Sequence, residues 1–191
     1  MTDIQGVRLP RAQRREQILA AATKAFAHAG YTATSLNDIA GEAGVSRMIV
    51  YRHFDSKREL YRSALDRVGD RLAEATSHPD YTEHSLNGML AVAKEDPDGF
   101  RLLFRHAARE PEFRREADEL RAGMVAAVTG RLAGKVNEPA WAEWASTFVG
   151  VAVIEAVLAW LDVGQPDPEG TAERIRAVIA GIVAAARMPP T

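Results

Sequence analysis

The chain has no cysteine among its 191 residues, which excludes a disulfide frame and any thiolate-bound metal. Aromatic residues are few, at 7%, and Gly 14 with Pro 9 is too little for a collagenous or low-complexity chain. No stretch alternates apolar and polar residues over the length of a strand, so an all-α fold of about nine helices is expected. The opening MTDIQGVRLP lacks a basic segment followed by an apolar run, which argues against secretion and for a cytoplasmic protein. No Glu-x-x-His pair of the di-iron type occurs, and His106 with Glu110, four apart, suits a solvated helix face. No enzyme and no cofactor is therefore expected.

Net charge is only -2, but it is segregated. Residues 1–58 hold 9 Lys and Arg against 5 Asp and Glu, and residues 59–191 hold 15 against 21. A basic head on an acidic body suits phosphate contact at one end and discourages it elsewhere. The most apolar stretch, Trp144 to Leu161, is broken only by Glu155. A carboxylate in its middle and the lack of basic flanks favour a buried helix over a membrane span.

The segment from Gly30 to Leu60 carries the most information. Ser35 stands three residues before Asp38, a capping box that starts a helix with Leu36 and Ile39 on its apolar face. Gly44 supplies the φ > 0 turn after Ala43, and Ser46 is placed to cap a second helix with Val50 and Phe54 inward beside Val45. That leaves Arg47, Met48, Ile49, Arg52 and His53 outward. A second capping box, Ser56 with Glu59, opens a longer helix through Leu60, Ala64, Leu65, Val68 and Leu72. Ahead of the motif, Ile18, Ala21, Ala22, Ala25, Phe26 and Ala29 follow a helical period that stops at Gly30. The pattern is a helix-turn-helix in a three-helix unit.

Through Gly30, Thr34, Ile39, Ala40, Ala43, Gly44, Val45, Ser46, Tyr51, Phe54, Lys57 and Leu60, residues 11 to 62 closely resemble the TetR family of bacterial transcriptional regulators. The resemblance implies a DNA-binding head over 1–56 and a helical effector-binding and dimerisation body over 57–191. It implies that Thr34 or Ser35 holds a backbone phosphate, the alternative being a plain N-cap. Ser46, Arg47, Met48 and Ile49 lead the recognition helix toward base edges, with Arg47 set either for guanine O6 and N7 or for a phosphate. Tyr51, Arg52, His53 and Lys57 match positions that reach the phosphate backbone. Met48 and Ile49 depart from the usual Gly or Ala followed by Thr, and point to thymine methyl groups unless one packs sideways on the scaffold. Arg8, Arg11, Arg14 and Arg15 either extend into a minor groove or form a solvated arm.

Beyond residue 66, proline punctuation divides the chain into helices near 83–95, 98–109, 112–132, 138–163 and 171–188. Ile175, Val178, Ile179, Ile182, Val183 and Ala186 form a one-face stripe, and by resemblance the last two helices pair with their copies in a homodimer. Small residues such as Gly150 permit close helix approach. The family commonly binds a small-molecule effector in the body. Met89, Phe100, Leu103, Phe104, Met124, Trp141, Trp144 and Phe148 are candidate lining for a largely apolar compound, with His106 and Glu155 as polar anchors. For each the core is the default reading, because such stripes pack helices, and Glu155 also suits a contact across the dimer or solvent at the domain edge. The expected protein is a dimeric repressor released from a near-palindromic operator; a global or architectural DNA-binding regulator without an effector is the alternative.

Overall fold

A computed structural model describes residues 9–76 and 83–189. Among them are nine α-helices and no strand: α1 (Arg11–Ala33), α2 (Leu36–Glu42), α3 (Arg47–Tyr51), α4 (Lys57–Thr76), α5 (Glu83–Glu95), α6 (Pro97–Arg101), α7 (Arg114–Leu132), α8 (Pro139–Asp162) and α9 (Thr171–Ala186). The expected helix over 98–109 is not continuous. It starts as α6 on the Asp96 N-cap, then widens to a π-helical turn at Leu102–His106 and tightens to a 3-10 turn at Ala107–Arg109. Periodicity does not distinguish these windings, because all three bury nearly the same residues.

In the head, α1 breaks at Gly30, whose φ of 80° and ψ of 171° lie in a region essentially reserved for glycine. The Ser35 capping box forms in full, with Asp38 N donating to Ser35 Oγ and Ser35 N donating to the Asp38 carboxylate at 2.8 Å. The Ser56 box forms in altered register: Glu59 N donates to Ser56 Oγ, but the Glu59 carboxylate accepts from Asp55 N. Ile18, Phe26, Ile39, Val50, Phe54 and Leu60 are fully enclosed and fix the angle between α2 and α3.

The body is braced on α1 and α4. Phe26, Tyr61, Tyr31 and Phe113 form a run of ring contacts with successive centroids 4.8 to 5.0 Å apart, and Tyr61 also meets Phe113 at 4.4 Å. Arg67 links Glu16 of α1 to Asp96 at the α6 N-cap. Arg101 and Arg105 hold Asp162 at the end of α8, and these guanidiniums keep its carboxyl below the ordinary carboxylate range. Helix α7 packs on α8 and α8 on α9. A Cβ at Gly150 would stand 2.9 Å from Val125, so glycine permits the α7–α8 approach. Among the described residues α8 is the one helix long and apolar enough to cross a membrane, and 56% of its most apolar window is buried.

Candidate nucleic-acid interface and ligand cavity

The outward surface of α3 is built by its inward one. With Val50 and Phe54 locked in the core, Arg47, Met48, Tyr51 and Arg52 are forced into solvent. Met48 is 74% exposed, a large apolar side chain with no cover. Ile49 behaves differently: it is half-buried and packs against the core. The two residues that depart from the family pattern thus divide, one presented outward and one turned sideways. Arg47 Nη2 donates to Tyr51 Oη at 3.0 Å, and its guanidinium lies 5.3 Å from that ring, so the pair stands as one rigid unit on the helix surface. Ser46 is the N-cap residue by backbone, yet its side chain makes no capping bond and the hydroxyl is exposed.

Around α3 the cations are of two kinds. Arg11, Arg14, Arg52 and His53 line a shallow polar cleft with Leu9 and Ile49, between the start of α1 and α3. His53 is held below its ordinary pKa, chiefly by burial and then by Arg11, Arg15, Arg52 and Arg14. Lys57 and Arg15, by contrast, are engaged within the fold. Lys57 Nζ donates to the carbonyls of Tyr31 at 2.8 Å and Thr34 at 3.0 Å and sits over the Tyr31 ring, closing the end of α1. Arg15 lies 4.1 Å over the Phe54 ring and reaches Ser63, which makes it a packing residue of α1 rather than part of an arm. Arg8 lies outside the described residues.

The phosphate alternatives at the start of α2 are likewise separated. Thr34 is 3% exposed and its hydroxyl donates to the Gly30 carbonyl, so its side chain faces the protein. Ser35 is exposed at the N-cap of α2.

In the body, a cavity of about 470 Å³ lies between α4, α5, α7, α8 and α9. Of the expected lining only Met89 and Met124 reach it. Phe100, Leu103 and Phe104 are buried core residues. His106 packs instead against the bend of α1, beside Gly30 and the Ala27 backbone, where burial lowers its pKa. Trp141, Trp144 and Phe148 lie on the open face of α8, with Trp144 40% and Phe148 47% exposed, and Glu155 is exposed on the same helix. They miss the cavity because α8 turns the opposite side, Val149, Gly150 and Val153, toward it. Sequence reasoning passed over Arg131, Lys135, Arg176 and Arg187, which also line the cavity. Three of them sit near helix C-termini, where basic residues are ordinary.

Residues 18–64 match the family described as bacterial regulatory proteins, tetR family. The HTH-type transcriptional activator FasR of Mycolicibacterium smegmatis is 38% identical over 109 residues, 53% of this chain and 50% of FasR, so the match spans half of that relative. A TetR-like transcriptional regulator from Rhodococcus sp. RHA1 has the same fold, with a TM-score of 0.81 at 23% identity over 93% of this chain and 99% of that one. The regulator FadR from Bacillus subtilis, solved in complex with stearoyl-CoA, aligns at TM-score 0.63 and 19% identity over 91% and 99%. These relatives are regulators rather than enzymes, in keeping with the helix-turn-helix geometry of α2 and α3. Residues 18–64 thus place the head among the bacterial regulatory proteins of the tetR family, and the chain as a whole has the fold of a TetR-like regulator.

Proposed function

We propose that this chain is a cytoplasmic homodimeric repressor that reads a near-palindromic operator with its 1–56 head and is released when a small molecule enters the 57–191 body. The observation that carries the reading is the outward surface of α3, where Arg47, Met48, Tyr51 and Arg52 stand in solvent beside a basic cleft. Arg47 and Met48 take the base edges, with a thymine methyl under Met48. Ser46, Tyr51, Arg52, His53 and Ser35 take phosphates, with Arg11 and Arg14 extending the track. Lys57 and Thr34 act from behind, by setting where α2 begins.

Dimerisation through α8 and α9 is supported by a stripe of exposed apolar residues. Trp141, Trp144, Phe148 and Val151 are exposed on α8, as is Val178 on α9, and the Trp144 and Phe148 rings meet at a tilt 5.3 Å apart. An apolar face of this kind is more than scattered surface hydrophobes and fits a second copy. Two linked heads spaced about 34–36 Å would engage successive major grooves on one side of DNA. A head displacement of a few ångströms breaks that register, which is how occupancy of the body would release DNA. FadR, of the same fold, was solved in complex with stearoyl-CoA, which supports a ligand-holding body.

The test is selection of bound genomic fragments at physiological salt, followed by sedimentation of the protein on the recovered site. The expected result is one or a few inverted repeats, each occupied by an even number of chains, and a reporter silenced by the protein. Broad coverage without an inverted repeat would favour the architectural alternative, and reporter induction by the protein would reverse the sign of regulation.

A further inference from the structure

We infer that the body cavity takes a single apolar chain ending in an anionic group, with the anion held at the far mouth by Arg131, Lys135 and Arg187. The inference rests on the effector-responsive reading above and names the chemistry of that effector. It departs from a purely apolar ligand because of what stands at the end of the cavity.

The cavity walls are aliphatic and thioether surfaces, among them Leu86, Met89, Val128, Val153, Ile179 and Val183. At about 30 Å³ per methylene-sized group, 470 Å³ admits on the order of fifteen non-hydrogen atoms, the size of one mid-length chain. The direction of that chain follows from charge. Helices α7 and α9 end side by side, since Arg187 Nε at the α9 C-cap donates to the Lys135 carbonyl just past α7 at 2.9 Å. Arg131, one turn earlier on α7, is half-buried, whereas Lys135 and Arg187 are exposed. Three cations therefore ring the solvent side of an apolar cavity, and among the described residues no Asp or Glu lines it.

Two helix C-termini converge on the same mouth, each equivalent to about half a negative charge, and the full positive charges of Lys135 and Arg187 outweigh them. Farther in, Arg176 pairs with the exposed Glu173 through Nε and Nη2, while its Nη1 is buried without a hydrogen-bond partner. Guanidinium groups match carboxylate and phosphate oxygens two at a time. The shared chemistry is an acyl chain with an anionic head, whether a free carboxylate or the phosphates of a coenzyme A thioester.

The test uses the full chain and four submicellar probes of one length: dodecanoate, dodecanoyl-coenzyme A, dodecanol and dodecyltrimethylammonium. Titration calorimetry is expected to give at least tenfold tighter binding for one or both anionic probes than for dodecanol, with the cation weakest. A tighter dodecanoate assigns the carboxylate, and a tighter thioester assigns the phosphates. The Lys135→Gln/Arg187→Gln double variant is expected to lose the anionic advantage and to keep dodecanol binding within about twofold, which also shows that the cavity is folded. Equal or tighter binding of dodecanol, binding of none of the probes, or an anionic preference that survives in the double variant overturns the inference. If the anions bind with the expected preference but leave operator affinity unchanged in fluorescence anisotropy, the site stands and the effector-responsive reading fails.

Discussion

Two regions of this molecule concentrate positive charge, and they do so in opposite surroundings. At the head, Arg11, Arg14 and Arg52 line a small open cleft together with His53, Leu9 and Ile49, flanked by the exposed Arg47 and Met48. At the far end of the body, Arg131, Lys135 and Arg187 ring a cavity whose walls are mostly hydrocarbon. A cation on an open polar surface answers to a long-range polyanion and is screened by salt. One beside an apolar cavity answers to whatever charged group an apolar ligand carries. Charge alone therefore assigns neither function; the material next to the charge does.

The sharpest way to break the comparison is to neutralise each region in turn. Arg47→Gln with Arg52→Gln is expected to weaken operator binding by about 1–3 kcal/mol per residue and to flatten the salt dependence. Lys135→Gln with Arg187→Gln is expected to leave operator binding of the unliganded protein within twofold, both measured by anisotropy across a salt series. Comparable losses from the two pairs would mean that the regions are not functionally separate.

Gly30→Ala follows in size and acts on neither set of charges. An added Cβ meets nothing closer than His106 at 3.8 Å, so the cost comes from the backbone at φ 80° and is about 1–3 kcal/mol of stability by chemical denaturation. Met48→Ala is expected to cost about 1 kcal/mol of operator affinity at sites with thymine and nothing in stability. Ile49→Ala should show the reverse balance, because its side chain packs on the core.

The smallest effect is expected from His53. Burial and four arginines hold its pKa below 6.5 in the free protein, so it is neutral at pH 7. A phosphate beside it raises the pKa, and binding then takes up a proton. Operator affinity should therefore increase as pH falls from 7.5 toward 5.5, by about threefold, and His53→Gln should remove that portion of the dependence. A flat wild-type profile would place His53 away from the phosphates.

The head was legible in the sequence because its devices are local. Ser35 and Asp38 are three residues apart and find each other in one helical turn, and Gly44 turns the chain where it stands. The body was less so, since its site depends on helices far apart in sequence. Trp144 and Phe148 belong to an apolar period that suits a cavity and a subunit contact equally; only the packing of α7 and α9 on the other flank of α8 keeps them out of the cavity. Arg131, Lys135 and Arg187 come from the ends of two helices separated by all of α8, and nothing in either helix alone announces the other. Lys57 shows the same limit inside the head, where a residue matching a phosphate position closes the end of α1 through three-dimensional contacts with Tyr31 and Thr34.

Helix α8 lines the cavity with Val149, Gly150 and Val153 and carries Trp144 and Phe148 on its open side. In the proposed dimer this one rod is a wall to a guest on one flank and a handshake surface on the other. A guest that shifts the rod would then change how firmly two copies hold, and reciprocity would require that the grip between copies change the guest's affinity by the same factor. Protein concentration then becomes a hidden reagent in every ligand titration, and a dilute sample and a concentrated one need not report the same constant.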